Sequence, residues 1–146
     1  MGALIQATTD DRVRYLTINR PDQLNALNAE VLALLEQQVV YAAEDVAVGA
    51  IVIRGAGDRA FCAGADLKEI TGLTSHQAQD FIRRGQRTMD VIESSETPVI
   101  AAVDGWALGG GMELMLACHV VVASDRSRLG LPEAKIGCIP GFGGTQ

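Results

Sequence analysis

Apolar residues recur every three or four positions in two stretches of the chain, and this spacing predicts amphipathic helices. In the stretch 28–46, with Asn28 as the predicted N-cap, one helix face carries the apolar residues at 31, 35, 39 and 42. In the stretch 76–92, the residues predicted to face the interior are those at 81, 88 or 89, and 92. Residues 110–118 predict a third helix, which is short and buried.

Short apolar runs lie between these helices and predict buried strands, since parallel strands covered on both faces are continuously apolar. The buried runs are "AIVIR" (50–54) and "VIAAV" (99–103), and "VVVA" (120–123) predicts the next strand. An earlier strand, "RVRYLTI" (12–18), is predicted to place Val13, Tyr15 and Ile18 toward one side. Strands that alternate with helices indicate an α/β fold with parallel pairing.

Length and composition indicate one domain, residues 1–146, with 48% hydrophobic residues to form its core. The net charge of −6, without a dense basic stripe, argues against a nucleic-acid partner. No apolar run reaches the length of a membrane span, and the N-terminus lacks the charged-then-apolar pattern of a signal peptide. We therefore expect a cytoplasmic protein without a membrane partner.

The cysteines are Cys62, Cys118 and Cys138, an odd number without the C-x-x-C spacing of a zinc site. Disulfides persist in oxidising compartments, so three separate thiols fit a reducing one such as the cytoplasm. We expect neither a disulfide framework nor a bound metal.

The last residues of the chain, "IGCIPGFGGTQ" (136–146), have the composition of a loop that leads into a further helix. We therefore expect the chain to be the N-terminal part of a longer fold. Made alone, it is expected to expose apolar surface, to self-associate and to show weak activity or none.

Two stretches share one local design, in which a buried strand runs into a turn of small residues that opens a helix. They are "RAFCAGADLKEI" (59–70) and "WALGGGMELM" (106–115). The first N–H groups of a helix have no partner within it, and they point outward at its positive end. If the turns lie side by side, one N–H from each forms an oxyanion hole. The alternative is that both are ordinary turns and caps, with Asp66 and Glu69 as a capping box.

Two glutamates are candidates for acid and base chemistry. Glu113 lies in an otherwise apolar stretch, one helical turn after Gly110, and a buried carboxylate is costly unless something compensates it. Glu133 follows Pro132 in a loop between apolar segments. A pair of carboxyl groups in different surroundings divides acid and base roles between its members. The alternative is a capped Glu113 and a solvated Glu133, since spacing alone does not bring them together.

Two other kinds of site have only partial signals in the sequence. The segment "GAGDRA" (55–60) has the G-x-G-x-x-A pattern of dinucleotide binding, but loop residues follow it where that motif needs a helix at once. The histidines, His76 and His119, have no nucleophile elbow near them, which argues against a Ser-His-Asp hydrolase. Both sites are disfavoured.

The long motifs resemble the enoyl-CoA hydratase/isomerase family, the crotonases, over essentially the whole chain. They are "INRPDQLNALN" (18–28), "AFCAGADLKE" (60–69), "VDGWALGGGMELMLAC" (103–118) and "LPEAKIGCIPGFGGTQ" (131–146). The resemblance implies a crotonase-like fold, a spiral of ββα units of which this chain is the N-terminal part. It also implies a homo-oligomer, a trimer or hexamer, and no cofactor beyond the coenzyme A of the substrate.

Position by position, the resemblance assigns the oxyanion-hole N–H groups to Ala65 and Gly110 and the catalytic carboxyl groups to Glu113 and Glu133. The substrate-binding positions that it implies are Ala63, Ala65, Asp66, Leu67, Lys68, Gly110 and Gly141. Lys68 is expected to offer its charge to the coenzyme A phosphates. His119 stands where the family commonly has Asp, and a local hydrogen-bonding role is expected for it.

Both family glutamates are present, which favours a hydratase, a lyase of fatty acid metabolism and β-oxidation. The resemblance implies syn addition of water to 2-enoyl-CoA. In that reaction Glu113 activates the water that attacks C3, and Glu133 protonates C2. Two alternatives remain: an enoyl-CoA isomerase, and a truncated, inactive homologue that only binds acyl-CoA.

Overall fold

A computed structural model describes residues 2–146, which form strands, four α-helices and two 3-10 helices. The strands are β1 (Ile5–Asp10), β2 (Val13–Ile18), β3 (Ala50–Gly55), β4 (Ala60–Cys62), β5 (Val99–Val103), β6 (Trp106–Leu108), β7 (Val120–Ala123) and β8 (Arg128–Gly130). The α-helices are α1 (Ala29–Glu44), α2 (Leu67–Ile70), α3 (Ser75–Glu93) and α4 (Gly110–Ala117). The 3-10 helices are Pro21–Gln23 and Glu133–Ile136.

The strands form a five-stranded sheet in the order β1-β2-β3-β5-β7 and a three-stranded sheet in the order β4-β6-β8. Only the β1–β2 pair is antiparallel among the strands of residues 2–146. From β3 onward, the chain places one strand in the large sheet, the next in the small sheet, and then forms a helical segment. This happens three times, ending with Glu133–Ile136. The predicted α/β class and the spiral of ββα units are confirmed.

Helices α1 and α3 pack against each other and, with the large sheet, enclose the core. The four apolar positions predicted to face inward from α1 are all buried, as are those predicted for α3. The prediction for β2 was partly wrong, because residues of a strand alternate between its faces. Ile18 is buried with Leu16, whereas Val13 and Tyr15 lie on the other face and are only half-buried.

The helix starts show which capping predictions hold. Asn28 caps α1, accepting a hydrogen bond from the Val31 N–H at 2.8 Å. Asp66 caps α2, but the predicted capping box with Glu69 is wrong. The Glu69 carboxylate instead accepts from the Ala29 N–H at 3.1 Å, because the free donors at the start of α1 lie beside it. No helix within residues 2–146 has both the length and the apolar character needed to cross a membrane.

Candidate active site

The three parallel strands of the small sheet all end at one edge, and each continues into a segment of the predicted site. Strand β4 leads into residues 63–66, β6 into Gly109, and β8 into the 3-10 helix that begins at Glu133. Ligand sites in parallel sheets form outside the carboxyl ends of strands. Because β6 lies in the middle, the start of α4 has the β4 turn on one side and Glu133 on the other.

The backbone amides of Ala65 and Gly110 lie close together. A Cβ atom placed on Gly110 would be 3.4 Å from the Ala65 nitrogen, and one placed on Gly64 would be 3.4 Å from the Gly110 nitrogen. Neither amide donates a hydrogen bond to any residue in 2–146. The turns predicted from the sequence are therefore adjacent, and each presents one free N–H group.

Two glycines in these turns occupy positions where any side chain would be strained. Gly64 and Gly109 have φ angles of +106° and +51°, a region that L side chains rarely adopt. A Cβ atom on Gly109 would also lie 2.8 Å from Glu133 Oε1, and one on Gly64 would lie 2.8 Å from the Leu108 carbonyl oxygen. The glycines thus permit both the turn geometry and the close approach of Glu133 to the start of α4.

Glu113 is 4% exposed, and its carboxylate is held by the last loop of the chain. Its Oε1 atom accepts hydrogen bonds from the backbone N–H groups of Phe142 at 2.7 Å and Gly144 at 2.9 Å. Its own N–H donates to the Gly109 carbonyl at 2.9 Å in the first turn of α4. These two donors and the positive end of α4 compensate the burial of the carboxylate. Its Oε2 atom accepts no hydrogen bond within residues 2–146.

Glu133 approaches the same helix start from the other side. Its Oε1 atom lies against Gly109, and its Oε2 atom is buried without a hydrogen-bond partner among residues 2–146. A buried polar atom without a partner is uncommon and calls for a ligand or water. Glu133 therefore lies against Gly109, whose carbonyl accepts the Glu113 N–H, and the Glu133 carboxylate is not fully solvated.

At the remaining predicted substrate-binding positions, some side chains are exposed and some backbone groups are hydrogen-bonded within the protein. Leu67 and Lys68 are exposed at the start of α2, while the Ala63 N–H donates to the Leu24 carbonyl at 3.0 Å. The Gly141 carbonyl accepts from Gln86 Nε2 at 2.9 Å, which ties the last loop to α3. Ala63, Leu67 and Lys68 are near neighbours of Ala65 along the chain, and Gly141 directly precedes Phe142.

The carboxylate of Asp66 is bound within the protein. It forms an ion pair with Arg20 at 2.8 Å and accepts the Lys68 N–H at 3.1 Å. Partial burial acts to raise the pKa of Asp66, but the Arg20 hydrogen bond and charge outweigh it and lower that pKa from its usual value. Asp66 therefore stays ionised and shapes the turn before Lys68.

Four residues with contacts to the site had no role in the sequence analysis: Arg20, Asn25, Gly85 and Phe142. The first two lie in "INRPDQLNALN", a motif of the resemblance to which no chemistry was attached. Gly85 is a glycine inside a predicted helix, which signals close packing. Phe142 is buried on it, because a Cβ atom on Gly85 would lie 2.2 Å from the ring.

The histidines and cysteines lie outside this arrangement. His119 Nδ1 accepts the Val99 N–H at 2.9 Å and Nε2 contacts the Glu93 carbonyl at 3.2 Å, so its predicted local hydrogen-bonding role is confirmed. His76 is exposed beside Asp80 on α3. Burial raises the pKa of the Cys62 and Cys118 thiols to about 12. No group of three potential metal ligands occurs among residues 2–146.

The sequence profile described as Enoyl-CoA hydratase/isomerase matches residues 8–146. The chain belongs to the enoyl-CoA hydratase/isomerase family. A crotonyl-CoA hydratase of Syntrophomonas wolfei is 42% identical over 137 residues, covering 94% of this chain and 53% of the relative. A probable enoyl-CoA hydratase of Bacillus subtilis is 45% identical over 143 residues, covering 97% and 55%.

Solved structures of the enoyl-CoA hydratase/isomerase family have the same fold. The crystal structure of an enoyl-CoA hydratase from Bacillus anthracis matches this chain with a TM-score of 0.95 at 39% identity. The match covers 99% of this chain and 56% of that one. The chain thus spans about half the length of the family members that it matches.

Proposed function

We propose that the protein is an enoyl-CoA hydratase, which adds water syn to a 2-enoyl-CoA thioester and gives 3-hydroxyacyl-CoA. The observation that carries this proposal is made at the start of α4: Glu113 is buried in its first turn and Glu133 Oε1 lies against Gly109, beside the free amides of Ala65 and Gly110. The names of relatives, among them a crotonyl-CoA hydratase, support it.

In this proposal the thioester oxygen lies between the N–H groups of Ala65 and Gly110. When water attacks C3, negative charge moves through C2 to that oxygen, and the two donors stabilise it. Donors that are fixed before the reaction do not have to reorganise during it, so they favour the transition state over the substrate. The Gly110 N–H also lies at the positive end of α4, whose dipole favours negative charge on the thioester oxygen.

The two carboxyl groups move the protons. The backbone donors on Glu113 Oε1 fix that carboxylate and leave Oε2 to accept a proton from the attacking water. Glu133, whose Oε2 has no partner within residues 2–146, gives a proton to C2. The oxygen of water joins C3, one proton resides on Glu113, and one proton has left Glu133. Proton exchange with solvent restores both groups.

Two functions of other kinds compete with this one. An isomerase moves a proton between C2 and C4 and needs one carboxyl group, so the second glutamate beside Gly109 favours a hydratase. A homologue that only binds acyl-CoA needs neither carboxyl group for proton transfer, so the presence of both Glu113 and Glu133 favours an enzyme. We also propose, on the family resemblance, that the protein needs no metal or redox cofactor, assembles as a trimer or hexamer, and acts in the cytoplasm in β-oxidation.

The test is hydration of crotonyl-CoA by the full-length protein, followed by loss of the enoyl thioester absorbance. Glu113→Gln and Glu133→Gln should each lower kcat by roughly two to four decades, the usual contribution of general acid–base catalysis. Glu96→Gln, at an exposed loop position, is the matched control and should keep the wild-type rate. A protein that isomerises 3-enoyl-CoA without hydrating crotonyl-CoA, or that only binds it, would refute the proposal.

A further inference from the structure

Residues 20–27 lie directly behind the turn that carries Ala65. The Leu27 N–H donates to the Gly64 carbonyl at 2.8 Å, and the Asp66 N–H donates to the Leu27 carbonyl at 2.8 Å. In a parallel pair, alternate residues of a strand bond to the same partner. Because Gly64 and Asp66 both bond to Leu27, the N–H of Ala65 between them points away from Leu27, and its nitrogen lies near Gly110.

Asn25 fixes this segment from inside the protein. Its side chain is fully buried, and its Oδ1 atom accepts the Arg20 N–H at 3.0 Å. Its Nδ2 atom donates to the carbonyls of Ala56 at 2.9 Å and Ala60 at 2.8 Å. Ala60 is the first residue of β4, the strand that runs into the Ala65 turn. One amide group thus joins residues 20–27 to both ends of the 56–60 loop.

The backbone of Asn25 supports the same interpretation. Its φ angle is +57°, a left-handed conformation that Asn adopts more readily than most residues. Gly55 makes room for its side chain, since a Cβ atom there would lie 2.6 Å from Asn25 Nδ2. The left-handed backbone of Asn25 and its close packing on Gly55 therefore place this amide against β4.

Arg20 joins the two sides of the Leu27–Ala65 contact. Its Nη1 atom donates to the Ala26 carbonyl at 2.6 Å, and its Nη2 atom donates to Asp66 Oδ2 at 2.8 Å. The side chains of Arg20 and Asp66 are each only 13% exposed. A guanidinium bound at two points holds its partners in a fixed orientation. Ala26 and Asp66 are thereby held together on either side of the contact.

Building on the proposed function, we infer that Arg20 and Asn25 are positioning residues of the oxyanion hole: they hold the turn 63–66 so that the Ala65 N–H points at the thioester oxygen. Neither side chain acts on the substrate. Their effect reaches the reaction through the direction of one N–H bond, and a misplacement of about 1 Å in such a group lowers a rate on the order of 100-fold.

The test compares Asn25→Gly and Arg20→Gln with a control in the full-length protein. Glycine at 25 accepts the positive φ angle, so this variant removes the side-chain hydrogen bonds without adding backbone strain. Arg126→Gln is the control, because it breaks another Arg–Asp pair, with Asp104, at the carboxyl end of the large sheet. The readouts are kcat and KM on crotonyl-CoA, and hydrogen exchange of backbone amides.

Both test variants should lower kcat by about 10- to 100-fold while KM changes by less than about threefold, because transition-state stabilisation is lost and ground-state binding is kept. The amides of Ala63 and Asp66, bonded to residues 24 and 27, should exchange faster. The Arg126→Gln control should change neither the kinetic constants nor the exchange of these two amides. A purely structural role would instead raise exchange across the chain.

Wild-type kcat in both variants, or faster exchange everywhere, would overturn the inference. Should Asn25→Gly not fold, Arg20→Gln decides by the same readouts. A wild-type protein without hydratase activity counts against the proposed function instead. In that case exchange alone judges the inference: acceleration confined to 63–66 supports it, and any other pattern refutes it.

Discussion

Gly85 lies in the middle of α3, under the ring of Phe142. A Cβ atom at this position would be 2.2 to 2.7 Å from three atoms of that ring. The ring is buried, 5.7 Å from the Phe81 ring between centroids, and the backbone N–H of Phe142 donates to Glu113. Gly85→Ala is therefore expected to displace Phe142 and, with it, one of the two donors that hold the Glu113 carboxylate.

The sign of the effect separates this interpretation from helix propensity. Replacing glycine by alanine inside a helix ordinarily stabilises a protein by about 0.5–1 kcal/mol. Overpacking a filled site costs about 1–3 kcal/mol, and expelling a buried phenylalanine costs about 1.5–3 kcal/mol. The cost of overpacking the site or expelling the ring exceeds the gain in helix propensity. Gly85→Ala should therefore lower the free energy of unfolding by about 1–2 kcal/mol.

The assay is urea unfolding of the full-length protein, with kcat on crotonyl-CoA measured alongside. Gly72→Ala is the control, since a Cβ atom there meets only the Glu69 carbonyl, at the ordinary contact distance of 3.6 Å. It should change the free energy of unfolding by less than about 0.5 kcal/mol. A double-mutant cycle with Phe142→Ala isolates the contact, because that variant leaves room for the new methyl group.

In the Phe142→Ala background, Gly85→Ala should become neutral or stabilising, as helix propensity alone predicts. Two results would refute the reasoning. One is a Gly85→Ala variant that is more stable than wild type and fully active. The other is an equal loss of stability in both backgrounds, which would mean that Phe142 is not what the methyl group meets.

Further predictions concern the amide pair, acid stability and thiol reactivity. Gly110→Val should abolish most turnover, since its side chain would fill the space beside the Ala65 amide and the Phe142 ring, whereas Gly49→Val, before β3, should not; steady-state kinetics compares them. The Arg126 and Ser124 hydrogen bonds lower the pKa of Asp104, so its stabilising effect is complete above the ordinary aspartate pKa of about 4 and is lost as pH falls toward its folded value. Melting temperatures between pH 7 and 3 should therefore fall less steeply in Asp104→Asn. Alkylation followed by mass spectrometry should modify the exposed Cys138 before the two buried cysteines.

The sequence predicted the long elements because tertiary context agreed with their periodicity. The apolar face of α1 is buried as its pattern indicated, whereas β3 and β5 bury only alternate residues of their apolar runs. Strand β1 was missed, since five of its six residues are exposed and it shows no apolar alternation. Strands β4, β6 and β8 have three residues each, too few to show a period. Those short strands nevertheless carry the site.

The candidate site was predictable in its residues and not in its arrangement. The small-residue turns and the isolated Glu113 are local signals, Glu133 was a candidate from its loop position, and the family motifs gave both glutamates their expected roles. Their proximity depends on the order β4-β6-β8, which only the folded sheets specify. The position of the Glu69 carboxylate also depends on the folded structure. It caps α1 instead of its own helix, because the Ala29 N–H, distant in sequence, lies beside it.

The most direct measurement of the central claim is a crystal structure of the full-length protein with an unreactive acyl-CoA thioester. The thioester oxygen should lie about 2.7–3.1 Å from both the Ala65 and Gly110 nitrogens. C3 should face Glu113, and C2 should face Glu133. A thioester bound with its oxygen away from these two amides, or with both glutamates out of reach of C2 and C3, would contradict the account.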